Sequence, residues 1–130
     1  MTFELTMLAW TLVLAFVQIL LFDGARTKQY GMKWNTGPRD EVMPPLSPFA
    51  ERRRRAQDNL FETLPLFIGA VLIAHVAGRN GELTHWGTLT YLVARVVYVP
   101  LYAYGVRTVR SLVWMVSFVG LGMVAAAILV

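Results

Sequence analysis

Four stretches of mainly apolar residues divide the chain: residues 3–22, 60–77, 86–105 and 112–130. Each is close to the roughly 20 residues that a helix needs to cross a bilayer core. Only Glu4, Thr6, Thr11 and Gln18 interrupt the first. Runs of this length are too long for buried strands, and turn signals such as Arg79-Asn80-Gly81 separate them. The pattern predicts an all-α integral membrane protein: one domain over residues 1–130, built as a four-helix bundle. The first stretch reads as a retained helix rather than a cleaved leader. Its start, MTFELT, carries no positive charge, its apolar run is long, and no A-x-A site follows.

The polar positions are as uneven as the apolar ones. Hydrophobic residues make up 56% of the 130 residues and charged residues 15%, which is too few charges for an ordinary soluble domain. Of the 20 charged residues, 14 fall between positions 23 and 62. The long connection at residues 23–59 therefore reads as a cytoplasmic loop, and the positive-inside rule orients the chain by it. Both termini then lie on the non-cytoplasmic side; in a bacterium the membrane would be the inner one. Pro38, Pro44, Pro45 and Pro48 break the middle of this loop, whereas residues 48–59 can continue as a helical extension of the second span. The net charge of +4 does not point to nucleic acid, because no binding motif accompanies it and the basic cluster sits between greasy segments. Arg52, Arg53 and Arg54 read as an anchor to anionic membrane lipids. The absence of cysteine excludes a disulfide scaffold and a cysteine nucleophile. His75 and His85 make no metal motif.

A charge inside a span costs about 2.5–3.5 kcal/mol on insertion scales and needs a reason. Arg95 lies in the middle of the third span and Glu62 about one turn inside the second. Arg55, Asn59 and Glu62 recur at i, i+4 and i+7, so they share one helix face. Tyr91, Arg95, Tyr98 and Tyr102 recur at i, i+4, i+7 and i+11 on the third span. Two readings of these faces stay open. In one, Glu62 and Arg95 neutralise each other, Tyr91 packs, and Tyr98 and Tyr102 belong to an interfacial belt. In the other, the faces meet as a polar pocket open to the cytoplasm beside Arg107 and Arg110. Such a pocket suits a ligand with carboxylates and an amine, and its greasy surroundings suit an apolar second substrate. Pro65 and Pro100 mark kinks, and Gly122 with Ala126 forms a small-xxx-small pair for close helix packing.

The segment from Glu51 to Phe67, ERRRRAQDNLFETLPLF, resembles the second-helix signature of the MAPEG superfamily, the membrane-associated proteins in eicosanoid and glutathione metabolism. The pattern R-A-x-x-N-x-x-E-x-x-P-x-F is filled by Arg55, Ala56, Asn59, Glu62, Pro65 and Phe67. Ala94, Arg95, Tyr98 and Tyr102 match the third helix. The resemblance covers nearly the whole chain, and it is to a bacterial-type member. It implies a homotrimer with glutathione as co-substrate, bound between neighbouring subunits and open to the cytoplasm. Arg55, Asn59, Glu62, Arg95, Tyr98 and Tyr102 would hold the tripeptide. An arginine near the start of the fourth helix, Arg110 or Arg107, would stabilise its thiolate. No metal is implied. Thr63 stands where some members carry an aromatic residue.

Two functions follow from this. One is a glutathione-dependent transferase or peroxidase acting on apolar electrophiles or lipid hydroperoxides. The other is a non-catalytic relative that binds lipid or a partner protein. A small four-helix transporter fits less well, because the first span offers only Gln18 at depth.

Overall fold

A computed structural model describes residues 1–130 as five helices and no strand. They are α1 (Phe3–Tyr30), α2 (Met32–Thr36), α3 (Pro48–Val76), α4 (Glu82–Ala103) and α5 (Thr108–Leu129). At 1.5 Å per residue, α1 and α3 are about 42 Å long and α4 and α5 about 33 Å.

By length and composition α1, α3 and α5 can cross a membrane, and α4 does not reach the same apolarity. The sequence pattern had promised four apolar spans. Threonines, tyrosines, His85 and Arg95 dilute the apolar residues of α4, and much of that polarity is turned inward: Thr84, Thr88, Tyr91, Arg95 and Tyr98 are buried. The boundaries shift as well. α1 continues past the apolar stretch to Tyr30, and the basic extension of α3 begins at Pro48. Ser47 starts that extension as an N-cap, its hydroxyl accepting from Ala50 N at 3.2 Å, with Pro48 in the first turn where its missing N–H costs nothing.

The four long helices pack with α3 and α4 in the middle. Both touch α1 and α5, whereas α1 and α5 do not meet. On α1 the inward stripe is Glu4, Leu8, Thr11, Ala15 and Gln18, spaced at helical periodicity. It faces a core that includes Leu60, Leu64, Phe67, Val71, Tyr91, Leu121 and Val124.

The closest crossing joins α4 and α5 at Gly87 and Gly120. A Cβ on either glycine would lie 2.8 Å from the other's carbonyl oxygen, so the two backbones touch. Gly122, expected to serve close packing, faces open space with nothing within 4 Å. It sits two residues, about 200° of helical turn, away from the contact stripe of α5.

The connection before α3 is ordered against α1. Gln29 donates from Nε2 to Pro45 O (2.9 Å) and accepts from Ser47 N (2.7 Å), so one side chain closes the loop. Asn35 donates to Thr27 Oγ1 at 2.6 Å. The Trp34 ring packs between the guanidinium groups of Arg26 and Arg39, 5.3 and 4.6 Å away.

Candidate functional site

Arg95 is the centre of the polar interior. It is 1% exposed, and its Nη1 donates to Asn59 Oδ1 of α3 at 2.8 Å. Its guanidinium stands 4.5 Å from the Tyr98 ring centroid. Its Nε and Nη2 are buried without a partner. A buried charge with one hydrogen bond and two unused donors is a costly arrangement in a helix bundle, and it is suited to an anionic ligand group.

Tyr98 is fully buried, so it does not belong to an interfacial belt. It meets Tyr102 edge-on at 5.5 Å and accepts a hydrogen bond from Arg110 Nη1 at 3.3 Å. Arg110 also lies 4.6 Å over the Tyr102 ring. Tyr91, one turn the other way, stacks on Phe67 at 4.0 Å and exchanges a 2.8 Å hydrogen bond with Thr63. Thr63, the departure from the aromatic pattern, therefore has a structural partner inside the bundle.

The predicted face of α3 divides. Asn59 turns in to Arg95, while Arg55, Asp58 and Glu62 are exposed in the single chain. The direct neutralisation of Arg95 by Glu62 is not formed. The three ion pairs of the chain are all local, joining Arg26 to Asp23 and Arg54 and Arg55 to Glu51. The expectation that Arg55, Asn59 and Glu62 meet the α4 stripe holds within one chain for Asn59 alone. The reason is angular: Asn59 faces the α3–α4 seam, and its flanking positions point past it.

The two candidates for thiolate stabilisation also separate. Arg107 is the exposed N-cap residue of α5, and Arg110 sits inside the first turn of α5 rather than on the connection. Of the two, Arg110 reaches the tyrosines of α4.

The arginine run has partners that spacing does not reveal. Arg52 Nη1 donates to Ala103 O at 3.4 Å, at the end of α4. That end closes as a Schellman turn, with Val106 N bonded to Leu101 O and Gly105 N to Tyr102 O, both at 3.0 Å. Gly105 has φ +73, a left-handed conformation that favours glycine, and the Arg52 guanidinium carbon lies 3.3 Å from where a Cβ would be. Arg53 Nη1 donates to Leu21 O of α1 at 3.0 Å. Arg54 pairs with Glu51 at 2.6 Å, and that hydrogen bond, aided by the carboxylate charge, raises its pKa above the ordinary arginine value. Through Arg52 and Arg53 the run ties α3 to both neighbouring helices.

Two cavities lie close to this framework. One of about 400 Å³ runs along the outside of the α4–α5 seam and is almost wholly apolar, lined by Val93, Val97, Val113 and Val116 among others. The other, about 530 Å³, lies under Trp34 and Arg39 in the basic connection, away from Arg95.

Helices of spanning length around a buried arginine define an integral membrane protein with a polar interior. Residues 7–130 match the sequence model of the MAPEG family, and the chain belongs to that family. The family contains glutathione transferases and peroxidases as well as non-catalytic members. No curated protein matches the chain.

Proposed function

We propose that the protein is a membrane-bound glutathione transferase or peroxidase that acts on apolar electrophiles or lipid hydroperoxides. The observation that carries this reading is the joined set Asn59–Arg95–Tyr98–Arg110, with two buried Arg95 donors still unused. A guanidinium fork recognises carboxylates, and glutathione has two. Glu62 suits its ammonium group. Arg110, beside two phenols, suits its sulfur: a nearby cation lowers a thiol pKa, and the thiolate is the nucleophile. In conjugation the sulfur lone pair forms the new bond to the electrophilic carbon, and the leaving group departs with its electrons. The apolar groove on the α4–α5 seam, on the same two helices, is a suitable surface for the acceptor.

In this reading α4 is the fourth span, with its polar side chains covered by its neighbours. The basic end of the bundle faces the cytoplasm and both termini face away. The exposed Arg55, Asp58 and Glu62 are at the level where α3 enters the membrane, where a second copy would cover them. That favours a homotrimer with glutathione between adjacent chains.

A second reading, a non-catalytic lipid- or partner-binding relative, draws support from Arg110 being already engaged with Tyr98 and Tyr102. Titration of the detergent-purified protein with glutathione separates the two. Saturable binding with ultraviolet thiolate absorbance, and conjugation of a generic electrophile, are expected. Absence of binding at millimolar glutathione refutes the transferase reading.

A further inference from the structure

Lys28 makes no ion pair and takes no part in the site around Arg95. It lines a cavity of about 460 Å³ between the end of α1 and the start of α3, with Gly24, Ala25, Gln29, Phe49 and Arg53 among its other walls. Two cations face this space and no carboxylate does. Glu51, the nearest acid along α3, is two residues from Arg53, on the other side of the helix, and holds Arg54 and Arg55. Arg53 is fixed by its bond to Leu21 O and by its 4.0 Å approach to the Phe49 ring, which leaves its remaining donors available.

Depth adds a second observation. Leu21 lies at the end of the apolar stretch 3–22, so the cavity sits where the greasy helix gives way to the basic segment. That is headgroup level for a spanning α1. A third observation is the surface below it. Val13, Val17, Leu20 and Gly24 recur at i, i+4, i+7 and i+11, and the first three are 46%, 44% and 69% exposed. A Cβ on Gly24 would meet nothing within 4 Å, so this stripe runs unobstructed into the mouth of the cavity.

We propose that the cavity binds an anionic phospholipid, its phosphate held by Lys28 and Arg53 and one acyl chain laid along Val13, Val17 and Leu20. A zwitterionic headgroup is disfavoured because its ammonium meets no carboxylate there. Inorganic phosphate shares the headgroup chemistry but cannot use the apolar stripe. The proposal stands apart from the glutathione reading and does not depend on it.

The test is native mass spectrometry of the full-length protein exchanged into equimolar phosphatidylglycerol and phosphatidylcholine. Wild type retains phosphatidylglycerol preferentially, and millimolar inorganic phosphate does not displace it. Lys28→Gln lowers retention roughly fivefold, the factor expected for one basic residue near an anionic surface. Gly24→Phe fills the cavity with both cations in place and lowers retention as well. Equal retention of the two lipids by wild type, full displacement by phosphate, or unchanged phosphatidylglycerol in both variants overturns the proposal.

Discussion

The polar stripe of α4 and the polar face of α3 carry similar groups, yet the fold treats them in opposite ways. Arg95 and Tyr98 are closed off inside one chain, in contact with Asn59 and Arg110. Arg55 and Glu62, at most one turn from Asn59, remain exposed. Substitutions at the Asn59–Arg95 contact therefore act on the stability of the single chain, whereas Arg55 and Glu62 have no bond to another helix to lose. The difference teaches that a bundle can bury one guanidinium internally and still leave the polar residues flanking its partner exposed.

The largest effect that breaks this comparison is on the buried side. Asn59→Leu removes the one hydrogen-bond partner of Arg95, and leaving a buried charge unpartnered costs about 3 kcal/mol or more. A drop in the thermal midpoint in detergent, with loss of helical circular dichroism at lower temperature, is expected. Next comes the α4–α5 crossing that holds Arg110 over the α4 tyrosines. Gly120→Leu forces apart backbones that touch and destabilises by about 3 kcal/mol, the upper range of overpacking. Gly122→Leu, facing open space, leaves the midpoint in place.

Smaller still in stability, but decisive for function, is Glu62→Gln. The thermal midpoint stays unchanged and glutathione affinity falls roughly tenfold, the worth of one charge-assisted hydrogen bond. Scanning calorimetry reads the first and isothermal titration the second. Smallest of all is Arg54→Ala, which removes an exposed pair with Glu51 and shifts the midpoint little. The raised arginine pKa gives this pair a defined sign. Its stabilisation is fully present below the unfolded arginine value and is lost only as pH rises through the still higher folded one. The arginine titration therefore adds no difference between wild type and variant from pH 6 to 9.

Much of this was legible in the sequence, because helical periodicity decides which residues share a face. The stripe from Tyr91 to Tyr102 and the helical extension from Pro48 both follow from it. Periodicity does not decide how two helices are rotated against each other. That is why Gly120 rather than Gly122 makes the crossing, and why Glu62 points away from Arg95. Long side chains add another freedom. Arg52 and Arg53 are adjacent yet reach α4 and α1, on opposite sides, through backbone carbonyls that leave no mark in the residue pattern. The lower apolarity of α4 has a related physical reason, since a helix covered by its neighbours can carry polar residues that a lipid-facing one cannot.

The central claim is that the buried α4 side and the exposed α3 side form one glutathione site between two copies of the chain. Co-assembly of an Arg110→Ala chain with a Glu62→Gln chain tests it most directly, with thiolate absorbance as the signal. Homo-oligomers of Arg110→Ala show no thiolate, and those of Glu62→Gln bind glutathione weakly. In the mixed assembly some interfaces pair an intact Arg110 with an intact Glu62, and the account predicts that wild-type affinity and thiolate formation return in that fraction. Mixed assemblies that behave as the plain average of the two variants would contradict it.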